Sequence, residues 1–397
     1  MDFSYTREEE AFRQELREWL AEALPAHRKE FPPSDDELVL HPDKSFDASL
    51  AWHRRMHEAG WVGIHWPREY GGRGATLVEQ MIFTEEMIRA AAPPGVNTIG
   101  LMLVGPAIFH HGTPAQKRER LPRILSAEEI WCQGFSEPGA GSDLANLGTR
   151  AHGEGEDFVV TGQKVWTSNA HRSHWCILLA RTDPDAPKHK GISCLLVDMQ
   201  SPGITIRPLV QITGEAEFNE LFFDRVRVPE TNLLGRLNGG WDVAITILMY
   251  ERMGLGTLTI LHQFVDRVLT LARTTRNGDR AGGEPLLRQR LAQVLIQSRA
   301  LRLTGLRYLT RQLRGAAPGP EGSVLKLTLT DTYREMAETA AQIVGPAVQL
   351  WKGSDWAVDE GRWAFQSLFA LRFGIAGGTS EIQRNIIGER LLGLPKG

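Results

Sequence analysis

DFVVTGQKVW (Asp157–Trp166), WCILLAR (Trp175–Arg181), GISCLLVDM (Gly191–Met199), GITIRPL (Gly203–Leu209) and NELFFDRVRVP (Asn219–Pro229) decide the fold. Each stretch is short and rich in Val, Ile, Leu or Phe, and Gly, Pro, Asp or Asn separates it from the next. Such residues suit a pleated, half-buried surface, and the close turn signals leave no room for helices between strands. A doubly wound sheet needs those helices, so this block predicts an antiparallel sandwich or barrel.

On either side the texture becomes helical. Upstream, Phe12, Leu16, Leu20 and Leu24 recur every four residues and mark one helix face. Turn residues cluster at Pro32, Pro33 and Ser34, and WPREYGGRGA (Trp66–Ala75) is a Gly-rich loop. A helical run over Leu77–Ala91 then stops before Pro93 and Pro94. Downstream of Gly239, apolar residues at three- and four-residue spacing predict helices over Trp241–Arg276, Pro285–Arg314, Ser323–Val344 and Arg362–Leu371. Leu287, Leu291, Val294, Leu295 and Leu301 form one such stripe, and lengths of this kind suit a bundle of long antiparallel helices.

The whole-chain numbers exclude several classes. A chain of 397 residues implies two or three domains at roughly 150 residues each. Its 48 acidic and 45 basic residues leave a net charge of -3, against the basic excess of a nucleic-acid binder. With 42% hydrophobic and 23% charged residues it reads as globular rather than disordered. The apolar stretch Leu101–Phe109 is interrupted by Gly105 and Pro106 and falls far short of the ~20 residues of a membrane span. The opening MDFSYTREEE has no apolar export core, and Cys132, Cys176 and Cys194 form no C-x-x-C pair, so the expected setting is the cytoplasm with reduced thiols. The histidines show no H-E-x-x-H spacing, so no metal site is expected.

Four places offer chemistry. In CQGFSEPGAGSDLANLGTRA (Cys132–Ala151), Gly139 and Gly141 bare the backbone beside Ser136, Ser142 and Asp143. Such a loop can hold a phosphate or a heterocycle edge, or simply connect domains. Leu144 stands where a Rossmann fingerprint needs its third glycine. In KVWTSN (Lys164–Asn169), Trp166 is either a sheet residue or a ring that packs on a cofactor. Glu251 falls inside a stripe of Ala244, Ile247, Leu248, Gly254, Leu255 and Leu258. A carboxylate among apolar neighbours is poised for proton transfer, unless it pairs with a buried Arg or turns to solvent. Finally, Gly377, Gly378 and Thr379 open a last helix, a common ligand niche, in which Glu381 and Arg384 read as a solvated face.

Together these pieces resemble the acyl-CoA dehydrogenase family. FSEPGAGSD is similar to that family's [FT][ST]EPxAGSD loop, WTSN to its W-[IT]-[ST]-N strand, and GGTSEIQRNIIGERLLGLP to its EGT[SA]xIQxxIIxRxLLG terminus. The resemblance implies an α+β chain with an N-terminal helical domain (1–125), a middle antiparallel β-barrel or sandwich domain (126–232) and a C-terminal four-helix bundle (233–397). It also implies FAD, met by Phe135, Ser136, Ser142, Trp166, Thr167, Ser168, Thr379 and Glu381. Across a subunit interface, Arg276 (or Arg280), Gln289, Gln342 and Gly345 would reach the adenosine end. TTRNGDRAGGEP lacks the family's R-x-x-F-G, and Pro346 replaces the second glycine of its Q-[IV]-x-G-G turn. Ser142, Arg252 and Gly378 would meet the acyl-CoA.

Many members carry the catalytic Glu where this chain has Gly377; a minority, including isovaleryl- and some long-chain enzymes, place it in an E-R pair on the first long C-terminal helix, here Glu251–Arg252. The implied reaction is α,β-dehydrogenation of an acyl-CoA thioester to the trans-2-enoyl-CoA. Glu251 would be the base and the Gly377 N–H a donor to the thioester oxygen. Electrons would pass to an electron-transfer flavoprotein, and the chain would form a homo-oligomer, a tetramer or dimer. The alternatives are an acyl-CoA or nitroalkane-type flavin oxidase on the same fold, or a catalytically silent subunit beside an active partner chain.

Overall fold

The computed structural model describes residues 4–32, 46–251, 256–273, 275–276, 279–280, 283–316 and 319–396. The upstream helices are α1 (Arg7–Glu30), α2 (Phe46–Glu58), α3 (Leu77–Arg89), α4 (Gly105–His111) and α5 (Pro114–Ser126). Capping boxes start three of them: Thr6 with Glu9, Thr76 with Glu79, and Thr113 with Gln116. Phe12, Leu16, Leu20 and Leu24 are all buried, as their spacing requires. The α1–α3 contact is bolted by Glu86, buried and held by Arg17 at 2.9 Å and Arg89 at 2.8 Å. In the Gly-rich loop, a Cβ at Gly72 would stand 2.1 Å from the Trp66 carbonyl, so only glycine fits there.

The middle block is one sheet: β1 (Trp131–Gly134), β2 (Arg150–Glu154), β3 (Asp157–Ser168), β4 (Trp175–Arg181), β5 (Ile192–Asp198), β6 (Ile204–Leu209), β7 (Phe218–Pro229) and β8 (Leu233–Leu234). Strand order is β6-β7-β3-β2-β4-β5-β8, with β1 on β4. Antiparallel pairing dominates, as expected, but β1 and β2 each meet β4 in parallel. Neither was foreseen as a strand, because WCQG and RAHGE lack the β-branched run of their neighbours; WCQG moreover pairs only with the distant β4, whereas RAHGE forms a hairpin with β3. The long β3–β7 ladder has two irregularities, between Val160 and Gly162 and between Lys164 and Thr167. They coincide with left-handed backbone at Arg225 (φ 52) and Trp166 (φ 60).

The last region comprises α6 (Gly240–Glu251), α7 (Gly256–Arg273), α8 (Pro285–Leu313), α9 (Glu321–Val344), α10 (Arg362–Phe369) and α11 (Ser380–Ile386). Leu261, Val265, Val268, Leu291, Val294, Leu301, Met336 and Ala340 share one core between α7, α8 and α9. α6 instead packs on β5 and α4, and its Val243, Ala244 and Ile247 share a core with Leu16, Trp66 and Ile108 of the upstream region and Ile192 and Cys194 of β5. The helix expected to reach Arg276 ends at Arg273. Thr275–Arg276 (β9) pairs antiparallel with Asp279–Arg280 (β10). The sequence Asn-Gly at 277–278 is a pairing that hairpins favour, a sequence signal that the helical periodicity outweighed; these two residues lie outside the described ones. Arg252, Gly254 and Leu255 lie outside the described residues, as do the side chains of Glu251, Leu258, Arg276 and Arg280.

Candidate functional site

Two segments converge at the end of β3. Phe135 is buried directly after β1, and the next carbonyl, of Ser136, accepts from the Val165 N–H at 2.9 Å. Glu137 accepts from the Gly148 N–H at 2.6 Å and the Thr149 N–H at 2.9 Å, so its carboxylate ties the start of the EPGAGSD loop to the residues just ahead of β2. The other partner of Glu137 is Lys164, at 2.7 Å, fully buried on β3. Burial pushes the Lys164 ammonium down to about 8, although Glu137 pulls the other way. At the loop tip, a Cβ on Gly139 or Gly141 would meet nothing within 4 Å, and Ser142 is exposed. Asp143 pairs with Lys188 at 2.8 Å.

The fate of Trp166 follows from the irregularity it sits in. An extra residue on β3 and a positive φ turn its ring out of the sheet, leaving it 58% exposed with one edge against Phe218. A core role is thereby set aside. Beside it, Thr167 is buried and its hydroxyl has no hydrogen-bond partner among the described residues. The side-chain carbonyl oxygens of Asn169 and Asn219 are buried and unpartnered too, and Ser168 is half-buried. Unmade bonds of buried polar atoms cost about 1–3 kcal/mol each, so a ligand edge that supplies partners would recover much of that. An exposed indole, an orphaned hydroxyl and a bare loop suit a flat heteroaromatic cofactor such as a flavin.

The second glycine niche is clamped from below. Gly377 (φ 64) and Gly378 (φ 85) both sit in left-handed backbone. Gln383 donates to their carbonyls at 3.0 and 3.2 Å, and Lys326 on α9 donates to Gly378 O at 2.8 Å and Phe373 O at 2.6 Å. Thr379 caps α11, and Glu381 is exposed with Arg384 at 3.6 Å, a solvated pair as expected. Gln289 and Gln342 are exposed on α8 and α9, and Gly345 (φ 67) ends α9.

Glu251 is the last residue of α6. Of its stripe, Ala244 and Ile247 are fully buried and Leu248 half-buried, whereas Ile245 and Met249 face outward. The preceding residue, Tyr250, reaches His110 on α4 at 3.1 Å, and Thr246 reaches His111 at 2.8 Å. The helix end that carries Glu251 is thus tied to the N-terminal helices.

Sequence reasoning missed the two cationic clamps, Lys164 with Glu137 and Lys326 with Gln383. The Lys164 signal was present: a lysine at an inward position of a Val-rich strand must have a buried anion to meet.

Profiles of the acyl-CoA dehydrogenase N-terminal, middle and C-terminal domains match residues 6–128, 132–226 and 238–392. Acyl-CoA dehydrogenase IpdE1 of Mycobacterium tuberculosis is 41% identical over 393 residues, 98% of either chain. Among solved structures, the ChsE4-ChsE5 complex from Mycobacterium tuberculosis aligns with a TM-score of 0.85 at 33% identity, covering 100% of both chains. The Tcur3481-Tcur3483 steroid ACAD aligns over the same share, with a TM-score of 0.84 at 30% identity.

Proposed function

Because the chain belongs to the acyl-CoA dehydrogenase family and is an oxidoreductase of that class, we propose that it binds FAD and desaturates an acyl-CoA thioester between its α and β carbons. The observation that carries this reading is the outward Trp166 next to the orphaned Thr167 hydroxyl. Phe135, Ser136, Ser142, Trp166, Thr167 and Ser168 would hold the flavin end, with Thr379 and Glu381 at the phosphate and ribose end. When bound, FAD supplies the acceptor for the β-hydrogen as hydride.

The chain's own residues do the rest. A C–H beside a thioester is too weak an acid to ionise unaided in water. The Gly377 N–H, with its carbonyl already taken by Gln383, would donate to the thioester oxygen and steady the enolate charge. The Glu251 carboxylate would accept the α-proton, and its Arg252 neighbour, with Ser142 and Gly378, would contact the acyl-CoA. Electrons would leave through an electron-transfer flavoprotein that docks at the exposed Trp166 edge.

For the acyl group, likeness to a protein described as a steroid ACAD supports a bulky, ring-bearing acyl-CoA. Anaerobic mixing of the purified yellow protein with straight, branched and ring-bearing acyl-CoAs tests both points. Bleaching is expected, fastest with the ring-bearing thioester; a colourless protein, or a flavin that none of them bleaches, refutes the reading. A second reading, that this chain is one half of a two-chain assembly, is favoured by its likeness to a complex of two named chains. Light scattering and mass analysis after co-expression with candidate partners separate it from a homotetramer.

A further inference from the structure

We infer that Lys164 is a positioning residue for the flavin: through Glu137 it locks the EPGAGSD loop to the strand end that bears Trp166 and Thr167. This rests on the FAD reading above. Lys164 touches both candidate cofactor segments at once, being part of β3 two residues before Trp166 while its ammonium donates to Phe135 O at 3.0 Å and to Glu137 at 2.7 Å. Glu137 passes the restraint on to the Gly148 and Thr149 amides, where the chain past the loop enters β2. The result is a closed belt: β3, ammonium, carboxylate, loop base. At the tip, Gly139, Gly141 and Ser142 stay exposed and open to a ligand, while Ala140 is buried beneath them.

Stability gives a poor account of this pair. A fully buried ammonium carries a desolvation cost that the facing carboxylate offsets only in part, and well-packed apolar side chains often serve folding as well or better. Preorganisation gives a better one. A glycine-rich loop has many backbone states, and a cofactor that must first order it binds more weakly than one that meets it already shaped.

The test uses the full-length holoprotein and reads FAD release by flavin fluorescence, the visible flavin spectrum, and thermal unfolding. Lys164→Met keeps an unbranched side chain one atom shorter and removes the charge; Glu137→Gln keeps the shape and removes the opposite charge. Each should release FAD roughly tenfold to hundredfold faster, the range expected when a charge-assisted contact that shapes a loop is lost, with a shifted visible band. The double variant should be no worse than the weaker single one, because both break the same belt. Wild-type FAD retention and spectrum in Lys164→Met overturn the inference, as does a loss that merely tracks a lowered melting temperature. Should Lys164→Met fail to fold, Glu137→Gln decides by the same readings. A wild-type chain that holds no FAD fails earlier and takes the functional reading with it.

Discussion

Replacing Glu251 by Gln keeps the size of the side chain and removes its ability to take a proton at neutral pH. Loss of a general base costs about 10²–10⁴-fold, so flavin reduction by a good acyl-CoA should nearly stop while the thioester still binds. Adding Gly377→Glu returns a carboxylate from the opposite segment, and the backbone there limits the gain. Gly377 has φ 64, and a residue with a Cβ pays about 1–2 kcal/mol in that region. The turn cannot relax cheaply, because Gln383 and Lys326 hold its carbonyls. At about 1.4 kcal/mol per factor of ten, the double variant should recover to no better than roughly a tenth of the wild-type rate, yet clearly exceed Glu251→Gln alone. Anaerobic stopped-flow reduction of the three proteins measures this. Near-normal reduction in Glu251→Gln removes the residue from the mechanism. A double variant no faster than the single one refutes the placement of both segments at one α-carbon.

Ser142→Ala and Trp166→Ala should weaken flavin or substrate binding and leave the melting temperature nearly unchanged, since both side chains are exposed; full flavin content and activity in both would refute the loop assignment. The protein should be an oligomer when FAD is bound, because Gln289 and Gln342 stand on exposed helix faces; a monomer that retains FAD in light scattering contradicts this. His65 sets an acid limit. Burial pushes its imidazole from the ordinary 6.5 down to about 4, against a backbone bond to Leu101, and its Nε2 has no partner among the described residues. The unfolded chain therefore binds this proton first, and stability should fall by about 3 kcal/mol as pH drops from 6.5 to 4, then level off. Urea unfolding of wild type and His65→Gln across that range checks it: the variant should lack this part of the decline.

What could be read in advance was whatever repeats locally. The α1 stripe and the stripe of Leu291, Val294 and Leu301 on α8 are buried as their spacing required, because a helix face is set by residues three and four apart. The glycine loop and the Trp-Thr-Ser strand end announced themselves by composition. The rest depends on partners distant in sequence. β1 is a strand because Trp131 faces Trp175. Glu86 is buried because Arg17, 69 residues earlier, meets it. Lys164 and Glu137, 27 apart, look like two ordinary surface charges until the sheet forms between them. The direction of Trp166 was equally hidden, since alternation along β3 gives no warning of an inserted residue.

The two irregularities in the β3–β7 ladder have a joint consequence. From Lys164 to Thr167, β3 advances three residues while β7 goes from Leu221 to Asn219; from Val160 to Gly162 it advances two while β7 goes from Val226 to Phe223. Each strand thus carries one surplus residue, and the two surpluses cancel. The ladder leaves and enters this stretch in phase, so the outward Trp166 does not disturb the strand ends. Deleting Trp166 alone, or Arg225 alone, would leave the pairing one step out and exchange inward for outward side chains along part of the sheet. Deleting both would restore a regular ladder, sound as a sheet, with no indole facing out. Strand length is therefore an inheritance that the two sites must change together, and shortening one in a redesigned chain calls for shortening the other.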